Sequence, residues 1–70
     1  MPSVVETVLK RALLEGLPVI IIYRSEKEIT QRRVYIRSID DEFVSAYCTL
    51  KKGIRRFKKS SILSAAIQED

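Results

Sequence analysis

Apolar positions along the chain follow two different periods. Val5, Val8, Leu9, Ala12 and Leu13 recur at the spacing of three and four that places side chains on one face of a helix, and Lys10, Arg11 and Glu15 fall off that face. Ser3 and Glu6 stand at the spacing of a capping box, in which each side chain satisfies a backbone N–H of the first turn. Gly16 suits a left-handed C-terminal cap, and Pro18 blocks continuation. The pattern predicts a helix over 4–15 whose apolar stripe must cover something.

After Pro18 the period shortens. Val19-Ile20-Ile21-Ile22-Tyr23 is short, β-branched and aromatic, and reads as a strand buried on both faces. Ser25 to Glu28 is a turn, and a second strand follows from Ile29 to Ile39, long enough that Arg37 or Ser38 should mark a bend. Asp40-Asp41-Glu42 has turn chemistry. From Phe43 to Leu50 the residues alternate, with Val44, Ala46, Cys48 and Leu50 on one side and Phe43, Ser45, Tyr47 and Thr49 on the other. Lys51-Lys52-Gly53 is a hairpin loop in which Gly53 should supply the unusual backbone angle. Ile54 to Lys58 returns as a strand, Ser60-Ser61 interrupts it, and Ile62 to Ile67 is the last strand.

One helix followed by five strands on short turns predicts a mainly β fold, a single domain over residues 1–70. Its strands should form a small SH3-like or Sm-like five-stranded antiparallel barrel with the helix packed across one opening. The alternative is an open antiparallel sheet with the helix on one face.

Composition narrows the chemistry. The chain has no histidine and a single cysteine, Cys48, which removes the commonest general base, the commonest metal ligand and any disulfide within the chain. No metal-ligand spacing appears, no catalytic machinery is recognisable, and no cofactor is implied. The longest apolar run is too short for a bilayer and no secretion signal opens the chain, so the expectation is a cytoplasmic protein with no membrane partner. The net charge is +4, and the segment Lys51 to Lys59 holds six basic residues and no acid. Arg32, Arg33 and Arg37 form a second basic cluster, while the acids sit in Glu26, Glu28, Asp40-Asp41-Glu42 and Glu69-Asp70. Separated charge of this kind attracts anions, and it also keeps a small domain soluble.

Four segments in order carry a family resemblance: Ile22-Tyr23-Arg24, Thr30-Gln31-Arg32-Arg33-Val34, Ala46-Tyr47-Cys48 and Arg55-Arg56-Phe57-Lys58, the last leading to Ile62. Together they resemble the WYL domain, over about residues 18–67. The chain departs from the pattern where the name-giving tripeptide falls on Glu42-Phe43-Val44, where a proline gives way to Ile36, and where an arginine gives way to Ser61. The resemblance implies an Sm-type barrel that senses a ligand, in proteins that are often transcription regulators or defence components. It implies a basic, aromatic-bearing face for nucleic acid or nucleotide-like ligands, and it carries over to Tyr23, Arg32, Tyr47, Arg55 and Lys58. Arg37 and Arg56 join this set on charge alone. No helix pair of the DNA-reading kind accompanies the barrel within these residues.

Each candidate has a plainer reading beside it. Arg55 shares a strand face with Phe57, so it either enters a ligand cleft or pairs with Asp40, Asp41 or Glu42. Arg32 shares its face with Val34 and Ile36 and is equally open. Tyr47 and Phe43 either stack on bases or pack beneath the helix. Tyr23 suits a core tyrosine whose hydroxyl reaches the edge. Cys48 suits a small buried hydrophobe. The expected function is therefore a non-catalytic regulatory module that binds single-stranded nucleic acid or a nucleotide-like anion. The alternative is a protein-interaction barrel that docks on a partner or forms a homo-oligomer.

Overall fold

The computed structural model describes residues 3–68, so Glu69 and Asp70 of the acidic tail lie outside the described residues. The elements are α1 (Val4–Glu15), β1 (Pro18–Arg24), β2 (Ile29–Ile39), β3 (Phe43–Cys48), β4 (Gly53–Lys58), a 3-10 turn (Lys59–Ser61) and β5 (Ile62–Ile67). All five strands form one antiparallel sheet in the order β4-β3-β2-β1-β5.

Connectivity forces that sheet to curl. β4 and β5 are its two edges, yet only three residues join them. In a flat sheet the edges would stand four strand spacings apart, roughly 19 Å. The four residue steps from Lys58 to Ile62 span at most about 14 Å. The sheet therefore bends into a barrel-like form, with Tyr23 of β1 against Phe57 of β4. Their ring centroids are 5.0 Å apart and the planes are inclined at 73°, an edge-to-face pair between strands that are not neighbours in the sheet.

The helix begins and ends where the capping chemistry places it. The N–H of Glu6 donates to Ser3 Oγ at 3.1 Å, and Gly16 adopts φ 66° with its N–H on the carbonyl of Ala12. Only half of the capping box forms. The Glu6 carboxylate turns instead to Lys59 Nζ, 2.9 Å away, tying the helix to the 3-10 turn. Lys59 holds the Glu6 carboxyl below its ordinary value by hydrogen bond and charge. Leu9 and Ala12 are fully buried, and α1 rests on β5, β2 and β1. The helix and sheet enclose a core of Leu9, Val19, Ile21, Val34, Val44 and Cys48 as its largest fully buried side chains, each aliphatic one worth about 1.5–3 kcal/mol of burial.

Four local expectations are corrected. Leu50 is 78% exposed rather than in the core, because β3 ends at Cys48 and the chain turns away over 49–52. The left-handed angle of that turn belongs to Lys52, at φ 53°, and Gly53 already begins β4. Ile20 and Ile22 are only half-buried, because the helix covers one side of β1 and they project from the other. Phe43 lies on that outer side of β3 too, away from the residues that meet the helix.

Candidate functional site

Strand alternation decides which basic side chains point toward the barrel interior. In β2, Thr30 and Arg32 share the side of buried Val34 and Ile36. In β4, Arg55 shares the side of buried Phe57. Curling of the sheet then brings the ends of these strands together. Tyr23, Arg32, Arg55 and Phe57 line one cleft of about 340 Å³, joined by Thr30 of β2 and by Ser25 and Glu28 from the β1–β2 connection. That volume lies within the range of small-ligand sites.

Arg32 is half-buried. Its Nε is buried and donates to no protein group, a situation that costs about 1–3 kcal/mol. Its guanidinium lies against Cys48. Burial raises the Cys48 thiol, but the backbone N–H groups of Lys51 and Leu50 and the Arg32 guanidinium outweigh it, so the thiol pKa falls below its ordinary value. Arg55 is exposed and faces the same cleft. Neither arginine is ion-paired to Asp40, Asp41 or Glu42. Asp40 caps its own turn instead: its Oδ1 accepts the N–H groups of Phe43 at 2.6 Å and Glu42 at 2.9 Å. Those two bonds, Phe43 first, hold its carboxyl below the ordinary value, with lesser help from the charges of Arg56 and Lys59.

The other candidates lie elsewhere. Arg56 borders the cleft, but its guanidinium carbon sits 4.3 Å from the centroid of the Phe43 ring on the outer face, a cation–π contact. Tyr47 is also on the outer face, paired across the sheet with Tyr35 and Ile54. Lys58 lines a separate hollow with Asp41, Glu42, Lys59 and Ser60. Arg37 is exposed at the position where the β2–β3 register slips, the bend anticipated there. Cleft residues Ser25, Glu28 and Thr30 were not singled out by sequence reasoning. Thr30 carried a usable signal, since it precedes Arg32 by two and so shares its face. Ser25 and Glu28 read only as turn residues.

Among the described residues, no group of three or more His, Cys, Asp or Glu could hold a metal ion, and no helix is long and apolar enough to cross a membrane. No family model matches the chain, and no curated protein does. Among solved structures, the chain is similar to Proteasome accessory factor B/C (PafBC) of Arthrobacter aurescens, with a TM-score of 0.76 and 27% identity over 91% of this chain. The chain spans only 11% of the length of that protein, so the likeness is to one small part of it.

Proposed function

We propose that this domain is a non-catalytic regulatory module whose cleft binds a phosphate-bearing, nucleotide-like anion, either free or as part of a single-stranded nucleic acid. One observation carries the reading. Arg32 and Arg55, from strands that are not neighbours, converge on a cleft beside Tyr23, and neither has an acidic partner among the described residues. Planar guanidinium groups grip phosphate through paired N–H donors, and Tyr23 adds an aromatic ring with a hydroxyl to the same cleft. The WYL resemblance and the likeness to part of PafBC support a regulatory rather than a catalytic role.

The test is fluorescence anisotropy with labelled single-stranded RNA, single-stranded DNA and duplex DNA at several salt concentrations, wild type beside Arg55→Ala. Two phosphate contacts give a slope of log K against log salt of about −1.4 on a single strand, and losing one reduces it by about 0.7. No binding to any of the three at low salt, nor of mononucleotides to the unlabelled protein, defeats the proposal.

A second reading rests on a different surface. Tyr35, Tyr47 and Ile54 form an exposed row across β2, β3 and β4, and edge strand β5 carries no charged residue. Such features suit a protein partner or a second copy. The expected signature is a mass above one chain that persists in high salt.

A further inference from the structure

The cleft is not uniformly basic. Glu28 lines it together with Arg32 and Arg55, yet no ion pair within 4.0 Å joins the carboxylate to either guanidinium. The position of Glu28 is fixed by its backbone. Ser25 N–H donates to the Glu28 carbonyl at 2.8 Å, Ser25 Oγ donates to the same oxygen at 2.9 Å, and Glu28 N–H donates to Ser25 Oγ at 3.3 Å. Three bonds between the same two residues hold the rim of the cleft and leave the carboxylate unengaged.

An ionised carboxylate only accepts hydrogen bonds. Placed at the rim of an anion site, it repels a ligand that is negative throughout. It favours one that is negative at one end and rich in N–H donors at the other. Among nucleotides, guanine alone offers two adjacent donors, N1–H and the 2-amino group, in the parallel arrangement a carboxylate accepts with both oxygens. Adenine and cytosine place a ring nitrogen acceptor beside their single amino group. Uracil and thymine flank one N–H with two carbonyls. In each of these, a lone pair of the base faces the second carboxylate oxygen.

We propose that the cleft selects a guanine nucleotide, with the Glu28 carboxylate accepting the paired donors of the base edge while Arg32 and Arg55 hold its phosphate. This rests on the anion-binding reading of the same cleft and adds the identity of the base. Bidentate recognition of a base edge gives about tenfold discrimination or more.

The experiment is calorimetric titration of the wild type and Glu28→Gln with GMP, AMP, CMP and UMP. It is repeated with a single-stranded ribo-octamer containing one guanine and the same octamer with adenine in its place. Glutamine keeps the backbone bonds of the turn but puts an N–H₂ group against the guanine donors. The expected result is at least tenfold tighter binding of GMP than of the other three, falling to within about twofold in Glu28→Gln, whose melting temperature matches the wild type. Preference confined to the octamers supports the inference and assigns the site to a guanine within a strand. Equal binding of all four nucleotides and both octamers overturns the guanine assignment and leaves the anion site standing. Guanine preference undiminished in Glu28→Gln overturns the role of Glu28. No binding by any ligand overturns both readings.

Discussion

Replacing Arg32 by methionine separates folding from binding. The stem of Arg32 packs on the interior side of β2, while its Nε is buried without a hydrogen-bond partner. Methionine keeps a flexible apolar stem of similar length, removes the unsatisfied donor and the charge, and gives up the guanidinium contact with Cys48. The relieved cost is about 1–3 kcal/mol, and we expect the lower end because the residue is only half-buried. For a domain of this size, 1 kcal/mol moves the melting temperature by about 4–8 °C. Arg32→Met is therefore expected to melt about 4–8 °C above the wild type by far-UV circular dichroism, while losing the salt-sensitive binding proposed for the cleft. This is the signature of a residue retained for function against stability. A folded variant that melts below the wild type, or that binds as before, would refute the reasoning. The first would show that Arg32 supports the barrel, and the second that it does not hold the ligand.

Two further outcomes follow from the turns. Lys52 holds a left-handed angle of φ 53°, which costs an L-residue roughly 1–2 kcal/mol, partly offset by the extra freedom of an unfolded glycine. Lys52→Gly should raise the urea midpoint by the equivalent of about 0.5–1 kcal/mol without changing the m-value, and a lowered midpoint contradicts this. Asp40 has a folded pKa below its ordinary value of 3.8, so the unfolded chain binds the proton first as acid is added. The stability it contributes is complete above the unfolded value and is lost as pH falls through the folded one. Asp40→Asn keeps an oxygen acceptor for the turn but cannot titrate. Melting curves between about pH 2 and pH 5 should show a shallower acid decline than the wild type, and identical slopes would exclude the capping bonds as its source.

The elements were legible because their signals are local. Ser3, Gly16 and Pro18 bound the helix at 4–15 as found, and period-two alternation placed Val44, Ala46 and Cys48 in the core. The bend at Arg37 was also readable, from a strand too long to stay regular. Alternation tells which side of a strand a residue takes, but it says nothing about curvature, and curvature builds the cleft. Tyr23 and Phe57 touch only because the sheet curls. Charge alone adds Arg56 to the candidates beside Arg55, yet the two neighbours point opposite ways along β4, and the Arg56 guanidinium lies over Phe43 on the outer face. Leu50 kept the apolar rhythm past the point where backbone hydrogen bonding stopped. Glu6 left its reciprocal cap for Lys59, a partner 53 residues away that no window along the chain contains.

That distant partner has a consequence for the order of events during synthesis. The helix precedes the strands, but its carboxylate anchor waits for Lys59, and the largest part of the cover for its apolar stripe waits for β5. β1 likewise lacks one of its two neighbours until Ile67 is in place opposite Val19. A nascent chain on the ribosome that stops short of these residues holds a helix covered only by β1 and β2 and an open strand edge, both prone to wrong association. Contacts so far apart along the chain also slow closure. The barrel therefore closes only when β5 is added, and a ribosome-bound segment ending before β5 should be cut by protease more readily than the full chain.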